Sequence, residues 1–155
     1  MRILKLTFPI LLLLAFSSFV SAPPKTFSII IKQWGGMLSS NVITRVTQDS
    51  VVVNGTNYHN EEFGYENALL PTASKKIADA LSKIDLDKLQ SDYTNNNVDD
   101  AAEFDFSITM DGKKKDFHIY VTAVQEILDL VKEINHVLPK DMQVGYDENY
   151  LEVGK

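Results

Sequence analysis

The chain predicts an α+β fold: an antiparallel sheet of about five strands, in the order βββ-α-ββ-α, with two helices packed on one face. Three observations lead there. Short runs of β-branched residues are separated by Gly, Ser, Asn and Asp, residues 103–110 alternate strictly between apolar and polar, and two later segments repeat apolar residues at helical spacing.

The first three strands are "FSIIIKQW" (27–34), "NVITRVT" (41–47) and "SVVVN" (50–54), whose stiff branched side chains suit a pleated, half-buried surface. If Ile29 and Ile31 face the helices, parity puts Trp34 on the opposite, wetter face with Ile30 and Lys32, unless Gly35 and Gly36 insert a bulge. Packing at the edge of the core is the simpler reading of Trp34, and recognition of a partner is the functional one. Residues 54–71, "NGTNYHNEEFGYENALLP", read as a long loop. Its rings Tyr58, Phe63 and Tyr65 either close over the end of the sheet or form, with Trp34, an aromatic recognition patch.

The first helix lies in "SKKIADALSKIDLDKLQ", behind Ser74 as a candidate cap. Ile77, Ala80, Leu81 and Ile84 form its stripe, and Leu86 and Leu89 continue the apolar contact after a break. Phe104, Phe106, Ile108 and Met110 then share one strand face, with Glu103, Asp105, Ser107 and Thr109 on the other. Asp111-Gly112 turns the chain into "KKDFHIYV", where Phe117, Ile119 and Val121 face one way and His118 and Tyr120 the other. This hairpin has one greasy side and one wet side. Thr122 and Gln125 suggest a capping box for a second helix, whose stripe runs Val124, Ile127, Leu128, Val131, Ile134 and Leu138 up to Pro139. A polar tail is expected from about residue 139.

The segment "MRILKLTFPILLLLAFSSFVSA" has basic residues, then an apolar run, then small residues, the pattern of an export signal cleaved after Ala22. Residues 23–155 are then expected to form a single globular domain with no membrane span, exported to the periplasm or the exterior. Removing Arg2 and Lys5 takes the formal charge from −6 to about −8, which argues against a nucleic-acid partner. The chain contains no cysteine, so it has no disulfide framework and no cysteine to carry a lipid, and a bacterial envelope suits it better than a disulfide-stapled secreted module.

Catalytic motifs are missing: there is no G-x-S-x-G elbow, H-E-x-x-H helix or glycine-rich phosphate loop. The three histidines, His59, His118 and His136, fall on a loop, a strand and a helix end, and no local spacing joins two of them at a metal. His136 suits the negative end of its helix. Asp85 and Asp87 read as capping residues rather than a catalytic pair. In "DYTNNNVDDAAE" (92–103), Asp92, Thr94, Asn96, Asp100 and Glu103 match positions 1, 3, 5, 9 and 12 of a calcium loop. Position 6 is Asn97 instead of glycine and a strand follows where a helix belongs, so a solvated acidic connector is the expectation, with no metal and no cofactor.

The export signal, the "TQDSVVV" strand pair, a helix ending in "IDLDKL", the "DGKKK" hairpin and the closing "LVKEINHVLP" helix resemble small signal-peptide-bearing bacterial secreted domains of unknown function. The resemblance implies a fold and a compartment. Together these features predict a noncatalytic binding or interaction domain for an envelope protein, peptide or glycan. Contact is expected through the 54–71 loop and the open sheet face, by Trp34, Tyr58, Phe63, Tyr65, His118 and Tyr120. The alternatives are a small periplasmic hydrolase whose polar residues meet only in three dimensions, and a structural envelope protein.

Overall fold

A computed structural model describes residues 22–35, 41–97 and 101–147. Residues 1–21 of the expected export signal, residues 36–40, residues 98–100 with Asp100 of the calcium spacing, and the chain beyond residue 147 lie outside them.

The strands are β1 (Phe27–Gly35), β2 (Asn41–Thr47), β3 (Ser50–Thr56), β4 (Glu62–Ala68), β5 (Asp92–Thr94), β6 (Ala102–Met110) and β7 (Lys113–Tyr120). The helices are α1 (Pro71–Leu81) and α2 (Gln125–Asn135). The strands form one sheet of seven, in the order β4-β3-β2-β1-β6-β7-β5. Every pair is antiparallel except β5 with β7. The fold is therefore α+β, but the antiparallel sheet of about five strands is corrected to a mixed sheet of seven.

Both added strands lie at edges, where an element has only one neighbour. β4 comes from the supposed 54–71 loop, with Glu61 and Asn57 closing the turn: Asn57 Oδ1 accepts the His59 and Glu61 N–H groups at 2.9 and 3.0 Å. The segment is poor in β-branched residues, yet Phe63 and Tyr65 alternate toward the core and its backbone pairs with β3 along its whole length. Gly55 makes this possible, because a Cβ there would stand 2.5 Å from Phe63 Cζ. β5 is three residues long, too short to show a period, and Tyr93 meets Phe117 edge-on at 6.3 Å.

One sheet face and both helices share the core. Ile29, Ile31, Val46, Val51, Val53, Phe104, Phe106, Ile108, Phe117 and Ile119 pack with Ile77 and Leu81 of α1 and Ile127, Leu130, Val131 and Ile134 of α2. The Asp111-Gly112 turn forms as expected. Both residues have positive φ, 47° and 85°, which matches the right-handed twist of the flanking strands.

Neither proposed helix cap forms. α1 begins with Pro71 after Leu70 and has no side-chain cap; Ser74 lies inside the first turn, where its N–H donates to Leu70 O. Proline suits that start because the first N–H of a helix has no intrahelical partner. Asp85 caps a turn instead of a helix, accepting the Asp87 N–H at 3.1 Å. In place of the Thr122/Gln125 box, α2 is started by Tyr146, whose hydroxyl accepts the Val124 N–H at 2.9 Å and donates to Thr122 O at 2.8 Å. The segment after Pro139 is thus not a polar tail through residue 147: Val144 and Tyr146 are buried, and Asn135 pins Val144 through both its N–H and its carbonyl.

Candidate functional site

The face turned away from the helices carries the candidate site. β1 pairs with β6 without a bulge from Phe27 to Gly35, so strand parity is preserved to its end and Trp34 lies half-buried on the open face. Register then builds two rows across the sheet. Trp34 lies opposite Glu103, and Glu103 opposite Tyr120; Lys32 lies opposite Asp105, Asp105 opposite His118, and His118 beside Asp92. Neighbouring strands sit about 4.8 Å apart, so each row presents side chains in close succession.

His118 is the centre of the cluster. Its Nδ1 lies 3.0 Å from Asp105 Oδ1, which places the ring proton on Nδ1 in the neutral form, and its Nε2 lies 3.9 Å from Glu103 Oε2. The ring also lies 6.1 Å from that of Trp34, tilted by 37°. Alongside runs a shallow groove of about 390 Å³ whose lining includes Ile30, Lys32, Asp105, Ser107, Asp116 and His118. The Ser107 hydroxyl, and then Lys114 at 3.0 Å, hold the Asp116 carboxyl below its ordinary 3.8.

This arrangement suits binding better than nucleophilic catalysis. An imidazole oriented by a carboxylate is half of a hydrolytic triad, but here Nε2 faces a second carboxylate and the neighbouring Ser107 hydroxyl serves Asp116. A half-buried aromatic surface beside acceptor groups can hold a ligand in place without reacting with it.

The structure does not bring the other expected contact residues to this face. Phe63 and Tyr65 lie on β4, at the far edge, and turn toward the helices, where they pack half-buried against the core. Tyr58 is 63% exposed in the β3–β4 turn, its ring 3.9 Å from that of His59. One aromatic patch joining Trp34 to the 54–71 segment is therefore corrected to two separate regions. His136 is exposed at the end of α2, 3.3 Å from Glu133.

Of the calcium spacing, Asp92 and Glu103 stand on strands flanking β7 rather than in one wrapping loop, and the Asp92 carboxylate accepts from the Thr94 hydroxyl. Among the described residues, no group of three or more His, Asp or Glu is placed to hold a metal ion.

Asp105 is passed over by a search by residue type, and Glu103 enters such a search only as position 12 of the calcium spacing. Their signal is present in the sequence: a two-residue turn at 111–112 pairs Met110 with Lys113, and counting outward pairs Asp105 with His118. Lys32 and Asp92 carry no comparable signal, because their neighbours are distant in sequence. No family model and no curated protein sequence matches the chain. No helix among the described residues is long and apolar enough to cross a membrane.

Proposed function

We propose that this chain is an exported, noncatalytic binding domain that contacts an envelope protein, peptide or glycan through the open sheet face around Trp34, His118 and Tyr120. One observation carries the reading: the rings of Trp34 and His118 lie 6.1 Å apart, half-buried and flanked by Glu103 and Asp105, on the face opposite the helices. Aromatic anchors bring large contact area at low rotamer cost, and a supporting sheet holds them in place before the ligand arrives. Export follows from the amino-terminal sequence pattern.

The test is capture from envelope extract by the chain and by its Trp34→Ala variant. The variant is expected to retain the fold, since Trp34 lies outside the core cluster, and to lose most of its captured partner. Ile108→Ala is the control: this fully buried residue is expected to cost about 2–5 kcal/mol in stability and to leave binding by the folded fraction intact. A Trp34→Ala protein that captures as well as the parent removes the residue from the site. Steady hydrolysis of a generic ester or peptide, abolished by His118→Ala, would favour the hydrolase instead.

A further inference from the structure

We infer that the occupant of this face is an extended basic peptide segment, with an arginine guanidinium stacked on Trp34 and paired with Glu103. This rests on the binding-face reading and names its ligand class. Ionised carboxylates only accept hydrogen bonds, so the ligand must donate, and the face of an indole attracts a cation. Arginine meets both demands at once, being planar, weakly hydrated and forked toward a carboxylate.

Charge complementarity points the same way. Lys114 is already paired with Asp116 at 3.0 Å, and Lys32 lies opposite Asp105, while Glu103 and Asp92 have no lysine or arginine partner among the described residues. The acidic residues cluster on β6, β7 and β5, whereas the β1–β3 part of the open face is mixed, with half-buried Ile30, Ile43 and Val52 interleaved with Lys32 and Arg45. A peptide in extended conformation running beside β1 and β6 would set basic side chains over the acidic strands, with one guanidinium at Trp34 and Glu103. The net charge of −6 favours the encounter.

Trp34 is the only tryptophan, so its fluorescence reports this face directly. The full chain is titrated with three probes: a capped hexapeptide alternating arginine and valine, the same peptide with citrulline for arginine, and a neutral chito-oligosaccharide. The arginine peptide is expected to change Trp34 emission saturably, with affinity falling about tenfold or more for the citrulline peptide and for Glu103→Gln. Glu66→Gln, on the far edge strand of the same face, is expected to change affinity less than about twofold.

Equal binding of the arginine and citrulline peptides would overturn the inference. So would equal losses from Glu66→Gln and Glu103→Gln, which would reduce it to attraction by net charge. Saturation by the oligosaccharide alone would overturn the basic ligand and leave the binding face standing. Emission that changes with protein concentration alone would assign the face to a second copy of the chain. Silence from all three probes overturns the basic peptide, and capture by Trp34→Ala then decides separately whether the face binds anything.

Discussion

Replacing Tyr146 by phenylalanine should show what starts α2. The side chain is 1% exposed, with its ring 5.3 Å from that of Phe104 and 6.0 Å from that of Phe106. Phenylalanine keeps that packing and removes two hydrogen bonds, one from the Val124 N–H at 2.9 Å and one to Thr122 O at 2.8 Å. Val124 is buried, so its N–H loses a partner where water is scarce, while half-exposed Thr122 can partly rehydrate its carbonyl. One well-buried orphan donor and one recoverable acceptor together cost about 1–3 kcal/mol. Tyr146→Ala also leaves a cavity and is expected to cost about 3–5 kcal/mol. In a urea titration followed by circular dichroism, both midpoints should fall at unchanged slope, the alanine variant further. Hydrogen exchange at the Val124 amide should accelerate in the phenylalanine variant. A Tyr146→Phe protein with the parent midpoint and the parent Val124 exchange rate would refute the hydroxyl as the device that starts α2. An alanine variant of parental stability would refute burial of the carboxy-terminal segment.

At Gly55 a Cβ would lie 2.8 Å from Asn41 O and 2.5 Å from the Phe63 ring, so Gly55→Ala is expected to lose about 1–3 kcal/mol in a melting experiment; parental stability would show that β4 shifts freely. The Asp116 carboxyl is held below its ordinary 3.8, so its contribution is present above that pH and is lost as pH falls through the folded-state value. Ser107→Ala removes the largest cause and should move the Asp116 titration upward in a carboxyl NMR measurement; an unmoved titration would place the cause elsewhere. Millimolar Ca²⁺ is expected to leave the melting temperature unchanged, and saturable stabilisation abolished by Asp92→Ala would instead establish a site there.

The sequence by itself determined what depends on near neighbours. Alternation from Glu103 to Met110 and the Asp111-Gly112 turn specify the β6–β7 hairpin, and with it the face and register that join Asp105 to His118. The apolar stripes of both helices, and the parity that turns Trp34 away from Ile29 and Ile31, were legible for the same reason: helix and strand periods are local geometry. Only the tertiary structure decided the edges and closures of the fold. Edge strands need just one partner and expose much of their surface, so the composition of β4 and β5 was free to resemble a loop, and backbone pairing with β3 and β7 made them strands. The caps failed as predictions because Pro71 and Tyr146 supplied the helix starts, the latter from 22 residues beyond Val124. The burial of Tyr146 and the meeting of Trp34 with His118 leave no local period to read. They arise where distant segments compete for the same core and where β1 and β6 align in register, and those contacts exist only after the chain has folded.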